Sequence, residues 1–205
     1  MVPQKQRALL MIVSGPAGSG KTTLRERMIE AFAPNLHRVV TATTRSMRPG
    51  EVDGVDYHFM ERAAFESGIA HDAFYEYAIV HGQNYYGGLK REIRDKLSRG
   101  LDLIMNVDVQ GAEVYRAAAR EDPLLRGRLV TVFIMPSSLE QLRERLSDRD
   151  AGKDAEIARR LQTAEAEINE WSKFDYCFTS GSRDADFQQL AAIFTAERLR
   201  TCRAE

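Results

Sequence analysis

Residues 8–24 read Ala8-Leu9-Leu10-Met11-Ile12-Val13-Ser14-Gly15-Pro16-Ala17-Gly18-Ser19-Gly20-Lys21-Thr22-Thr23-Leu24. The apolar run comes first and has the form of a strand buried on both faces. A glycine-rich turn follows, spelling G-x-x-x-x-G-K-T from Gly15 to Thr22. Thr22-Thr23-Leu24 then opens a helix. Polyphosphate is a dense cluster of negative charge. Backbone N–H groups of such a loop converge on it, and the N–H groups at the start of the helix add to the attraction. Gly15, Pro16, Ala17, Gly18, Ser19, Gly20, Lys21, Thr22 and Thr23 are therefore the expected triphosphate-binding residues. Lys21 brings a full positive charge to the β/γ-phosphates, and Thr22 offers a hydroxyl to Mg²⁺.

Outward from this loop the chain alternates. Apolar runs at Leu36–Ala42, Leu101–Val107, Leu129–Met135 and Phe174–Thr179 read as strands. Helical spacing is carried by Leu24, Met28, Ile29 and Phe32, and again by Leu139, Leu142 and Leu146 behind a Ser137-Ser138 cap. Ile157, Leu161, Ala164 and Ile168 mark a third helix, and Phe187, Leu190, Ile193 and Phe194 a fourth. Strands alternating with helices predict an α/β fold with a parallel sheet covered on both faces. Ligands of such sheets sit beyond the carboxyl ends of the strands, where the loop lies.

Two stretches break the rhythm. Residues 43–87 are rich in aromatics and charges and read as a small α+β insertion. Asp148–Glu156 has no apolar residue but alanine and reads as a mobile loop. The expected division is a core of 1–42, 88–147 and 161–205, an insertion of 43–87 and a lid of 148–160.

Composition narrows the function. At 205 residues the chain fits one medium domain, and a 43% hydrophobic share supports a proper core. No run approaches the length of a membrane span, and the polar Met1–Arg7 start does not resemble a signal peptide. The formal charge of −1 speaks against a general polyanion surface, so no nucleic-acid partner is expected. Cys177 and Cys202 lack metal or redox spacing, and His37, His58, His71 and His81 are scattered. A cytoplasmic protein, monomeric or weakly homo-oligomeric, is expected.

A second site lies in Thr43-Thr44-Arg45-Ser46-Met47-Arg48-Pro49-Gly50-Glu51 and Asp53-Gly54-Val55-Asp56-Tyr57. The planar fork of arginine suits phosphate bidentately. Glu76 follows in an aromatic strand, then Asn84-Tyr85-Tyr86-Gly87-Gly88.

The order of glycine loop, T-T-R-x-x-R-x-G-E-x-x-G-x-D-Y, a Glu ahead of N-Y-Y-G, and V-D-V-Q-G resembles guanylate kinase from about Leu9 to about Tyr176. That resemblance implies a P-loop NTPase-type parallel sheet flanked by helices, with a small GMP-binding insertion and a lid. It implies Mg²⁺-dependent, reversible transfer of the γ-phosphoryl group of ATP to GMP or dGMP. Arg45, Arg48, Tyr57 and Tyr86 would hold the GMP phosphate, Glu51 would brace the arginines, and Thr41 would contribute at the base. Glu76 would read guanine, whose N1–H and 2-amino group both donate to a carboxylate. Asp108 would hold Mg²⁺ through water or contact the acceptor, two roles the residues do not separate. Arg149 and Arg160 match the lid arginines that close on the triphosphate. The catalytic set implied is Lys21, Arg45, Arg149 and Arg160.

Four positions depart from the family pattern. Gly88 stands where a Ser or Thr hydroxyl usually contacts the guanine carbonyl, and Asn106 where an acid is usual. Asp150 replaces a lid Gly, and Ser180-Gly181 replaces Asn-Asp near the adenine position. GMP and dGMP are expected as the best acceptors, IMP poorer and AMP very poor. A Ser or Thr at 88 is expected to improve GMP use if nothing else fills that space. Two other readings are a related kinase acting on a ribose bisphosphate and a non-catalytic guanylate-kinase-like binding module. Lys21-Thr22 speaks against the second, and Glu51, Asp56-Tyr57 and Glu76 speak against the first.

Overall fold

The structure is a computed structural model and describes residues 7–80, 82–149 and 154–200. Its main sheet has five parallel strands: β1 (Leu10–Ser14), β2 (Leu36–Arg38), β7 (Asp102–Asn106), β8 (Leu129–Met135) and β9 (Tyr176–Thr179), in the order β2-β7-β1-β8-β9. β1 lies at the centre, so both its faces are buried, as its unbroken apolar run requires. Strand alternation sends Leu10 and Ile12 to one layer and Leu9, Met11 and Val13 to the other. The first layer meets Ile93 and Leu97 of α3 (Lys90–Ser98) and Ala112 and Tyr115 of α4 (Val109–Glu121). The second meets Leu24 and Met28 of α1 (Lys21–Ala31) and Leu190 and Phe194 of α7 (Arg183–Arg198). Fully burying each large apolar side chain contributes about 1.5–3 kcal/mol.

A second sheet of four strands is built from β3 (Ala42–Thr43), β4 (His58–Phe59), β5 (Phe74–Val80) and β6 (Asn84–Leu89), in the order β4-β3-β6-β5, with α2 (Arg62–Ala70) packed by Phe65 against Phe74. The single strand expected over Leu36–Ala42 is corrected here. β2 stops at Arg38, and Ala42 already belongs to the second sheet. Val39 and Val40 are buried, so the apolar run reports burial faithfully while crossing from one sheet to the other.

The mobile loop expected over Asp148–Glu156 is also corrected. α5 (Leu139–Arg149) runs through Arg149, and α6 (Asp154–Ile168) begins at Asp154. Arginine, alanine and glutamate are good helix formers, so low apolarity is no bar to helix at 148–149 and 154–156. Residues 150–153, with Asp150, lie outside the described residues. Leu142 and Leu146 of α5 pack with Ile157 and Ala164 of α6, and Ala17 of the glycine loop joins that cluster.

Candidate active site

The glycine loop joins β1 to α1. Gly20 caps α1 with φ 87°, a left-handed conformation that suits glycine. At Gly15 a Cβ would lie 2.5 Å from the Ile134 carbonyl oxygen, so only glycine lets the loop hug β8. Lys21 Nζ donates to the carbonyls of Gly15 (2.6 Å) and Pro16 (2.8 Å), and Ser19 N–H donates to Pro16 O at 3.1 Å. Thr22 and Thr23 are exposed on the first turn of α1. On one flank of the loop lies a cavity of about 450 Å³ that brings Gly18, Gly20 and Thr23 near Arg145, Ser180 and Gly181. Ser180 Oγ donates to Asp186 at 2.9 Å and Gly181 N–H donates to the same carboxylate at 2.7 Å, so the Ser180-Gly181 turn is fixed from behind.

On the other flank, a cavity of about 310 Å³ is shared by Thr22, Thr41, Tyr57, Glu76, Tyr86 and Asp108. Two core elements and the second sheet thus converge on one space. Tyr57 and Tyr86 meet edge to face with centroids 5.9 Å apart. The Arg45 guanidinium lies 5.4 Å from the Tyr57 centroid and is gripped by Glu51 in a fork, at 2.7 and 3.0 Å. Glu51 also accepts the Arg48 N–H at 2.7 Å. Glu51 first, then Tyr86, holds the Arg45 charge more firmly than usual, and Arg45 draws the Glu51 pKa down. Neither arginine lines the cavity itself, but Arg45 is half-buried beside Tyr57 whereas Arg48 is exposed, so the two are not brought together on equal terms.

Glu76 is aimed by a bulge. The β5–β6 register shifts between Phe74 and Glu76, which leaves Tyr75 as the extra residue. Tyr75 and Glu76 then both reach toward α4, and Tyr75 Oη donates to Asp122 at 2.6 Å. Burial, followed by the nearby Asp108 charge, pushes the Glu76 carboxyl up to about 7, against the pull of the Gly88 N–H. Asp108 caps α4, its Oδ1 accepting from Gly111 N at 2.7 Å.

A guanylate kinase family profile matches residues 7–197. The chain belongs to the guanylate kinase family. It is 41% identical over 197 residues to a guanylate kinase of Caulobacter vibrioides, covering 96% of this chain and 89% of that one. It is 40% identical to a guanylate kinase of Novosphingobium aromaticivorans, covering 97% and 86%. The crystal structure of guanylate kinase from Anaplasma phagocytophilum superposes with a TM-score of 0.74 at 28% identity, covering 98% of this chain and 92% of that one. The parallel sheet flanked by helices is that family's P-loop NTPase fold.

Within the guanylate kinase frame, several groups at the site carry no sequence motif. Arg25 lies one turn beyond Lys21 on α1 and lines the acceptor-side cavity with Arg38. Burial and then Arg38 weaken the proton affinity of Arg25. Arg38 donates to the Asp56 carbonyl at 2.6 Å and so ties β2 to the turn before Tyr57. Glu167 of α6 feels the charges of Lys21 and Asp108, and burial raises its pKa. Arg160 is half-buried on α6, whereas the Arg149 side chain lies outside the described residues. Asn106 ends β7 at the same cavity, with a buried Oδ1 that meets no donor among the described residues.

Glu76 makes a pH prediction. Its folded pKa of about 7 lies above the ordinary glutamate value of about 4.3. The stability carried by its protonated form is full below the unfolded value and is lost as pH rises through about 7. Guanine binding has the opposite sign, because two donors require the ionised carboxylate. GMP affinity, read by calorimetry, is expected to be about tenfold weaker at pH 6 than at pH 8.5. The second ionisation of a phosphate monoester, near about 6, contributes to this slope in any variant. Glu76→Gln should therefore keep that shallower part alone. An identical slope in both proteins would overturn the assignment.

Proposed function

We infer that this chain transfers the γ-phosphoryl group of ATP to GMP, giving ADP and GDP. The observation that carries the reading is the cavity that Thr22, beside the glycine loop, shares with Tyr57, just ahead of β4, and with Glu76 and Tyr86 of the second sheet. A triphosphate in the loop and a monophosphate on the second sheet would present their reacting ends to each other there. The ribose bisphosphate reading loses ground to the half-buried Glu76, because a sugar phosphate supplies no pair of N–H donors for it. A coupled assay of ADP release with GMP, dGMP, IMP, AMP and a ribose bisphosphate tests this. GMP and dGMP should lead, and a faster sugar phosphate would overturn the reading.

We assign the triphosphate to Gly15–Thr23 with Lys21, and its adenine end to the cavity bordered by Ser180 and Gly181. Arg149 and Arg160 flank 150–159 and are assigned to the triphosphate as it closes. Arg45, Tyr57 and Tyr86 hold the GMP phosphate, Arg48 assists from outside, and Glu51 keeps Arg45 in place. Thr41 and Gly88 border the base and Glu76 reads it. A GMP phosphate oxygen attacks the γ-phosphorus while the bond to the β–γ bridging oxygen breaks, and ADP leaves with that electron pair. The attacking oxygen is already ionised near neutral pH, so alignment and charge neutralisation carry the rate.

Mg²⁺ would be held by the exposed Thr22 hydroxyl and by Asp108, which share the cavity. No group of three or more His, Cys, Asp or Glu among the described residues could form a protein-only metal cage. That donor set fits an ion held mainly by phosphate oxygens and water. When bound, Mg²⁺ supplies charge neutralisation across the β/γ-phosphates. No helix among the described residues is long and apolar enough to cross a membrane. We place the reaction in the cytoplasm, with the enzyme monomeric or weakly homo-oligomeric.

The unequal arginines give a prediction. Arg45→Ala is expected to raise KM for GMP by roughly 10–100-fold and to lower kcat, because a charge-assisted contact is lost. Arg48→Ala should raise KM by less than about tenfold. GMP titrations at saturating ATP check this, and equal effects would remove the distinction.

A further inference from the structure

We propose that Tyr115, reaching in from α4, supplies the hydroxyl that reads the guanine carbonyl, in place of a side chain at Gly88. The inference rests on the reading of Glu76 as the guanine site and deepens it.

An ideal Cβ at Gly88 would fall 2.0 Å from Tyr115 Oη and 3.3 Å from both Tyr115 Cζ and Glu76 Oε1. The space expected to be empty beside Gly88 is therefore filled by a phenol. No side chain enters position 88 while Tyr115 keeps its place. The expected gain from Ser or Thr at 88 is conditional on an empty space, and that condition fails.

Tyr115 is fully buried, and its hydroxyl meets no hydrogen-bond partner among the described residues. Packing alone does not call for that oxygen. The ring sits 5.6 Å from the Tyr75 ring in an apolar layer that phenylalanine would fill without an orphaned polar atom. The oxygen instead lies beside Gly88 and the Glu76 carboxylate, and the Gly88 N–H already donates to that carboxylate. Guanine presents its 2-amino group, N1–H and O6 in sequence along one edge. With the first two on Glu76, O6 needs a donor immediately beside the carboxylate. The Tyr115 O–H, beside Gly88 and without a partner among the described residues, would take that carbonyl as the base seats against Glu76, and burial, then the Glu76 charge, keep it protonated.

The test compares GMP with 6-thio-GMP, which keeps N1–H and the 2-amino group but replaces O6 with the weak acceptor sulfur. Tyr115→Phe is expected to raise KM for GMP roughly three- to tenfold, the range for one neutral hydrogen bond. KM for ATP should not move, and KM for 6-thio-GMP should change less than about twofold. Equal losses with both acceptors would make Tyr115 a packing residue and overturn the proposal, as would no change with either. Gly88→Ser alone should impair GMP use, and Gly88→Ser with Tyr115→Val should recover at least about tenfold of the single variant's loss in kcat/KM. Improved GMP use in Gly88→Ser with Tyr115 intact would overturn the pairing. Thermal melts of each variant separate loss of fold from loss of reading. A wild-type enzyme that ignores GMP would instead defeat the guanine reading of Glu76, a result distinct from any difference between Tyr115 and its variants.

Discussion

Replacing Lys21 with methionine is expected to lower kcat by at least roughly 10²–10³-fold while the protein stays folded. Methionine keeps most of the stem but removes the ammonium, and with it the bonds to the Gly15 and Pro16 carbonyls. Those two bonds fix Lys21 against the loop before any nucleotide arrives. The charge is therefore already oriented when the γ-phosphoryl group passes through its transition state, and little reorganisation is spent at that moment. Circular dichroism and steady-state turnover on the same sample decide the matter. Near-normal turnover in a folded Lys21→Met protein would move the triphosphate site elsewhere.

The second large effect belongs to Glu76. Glu76→Gln should lower kcat/KM for GMP by roughly 10²–10⁴-fold, since two charge-assisted hydrogen bonds of about 1.5–3 kcal/mol each are replaced by one neutral acceptor and one opposed donor. IMP, which offers N1–H alone, should lose less, and AMP should change little. The three acceptors at fixed ATP give the comparison. Uniform loss across the three would mean that Glu76 supports the second sheet rather than selects a base.

Much of the fold can be read in the chain because its central strands are buried on both faces. β1, β7 and β8 stand out as apolar runs, and α1 follows the glycine loop directly. The elements that were not legible are those whose burial is partial or shared. α3 hides only Ile93 and Leu97 among charged neighbours, and β3 and β4 are two residues long. The Leu36–Ala42 run was misread because hydrophobicity records burial and says nothing about which sheet does the burying.

The candidate site divides in the same way. Lys21, Arg45, Glu51, Tyr57 and Glu76 lie in contiguous motifs whose chemistry explains their spacing. Arg25, Arg38, Glu167 and Tyr115 reach the site through space from α1, β2, α6 and α4, and no local pattern marks them. Gly88 was legible as a departure, but its meaning depended on a residue one helix away.

The second sheet is fastened to the core by side chains at both of its edges. β5 is the inner edge: Tyr75 donates to Asp122, Arg94 of α3 binds the same carboxylate at 2.6 Å, and Tyr115 wedges against Gly88. At the opposite edge, formed by β4, Arg38 donates to the Asp56 carbonyl at 2.6 Å and His58 lies 3.6 Å from Glu92 of α3, and no β ladder joins the two sheets among the described residues. Loss of the Asp122 carboxylate would therefore release one edge of the sheet while Arg38 and His58 still moor the other.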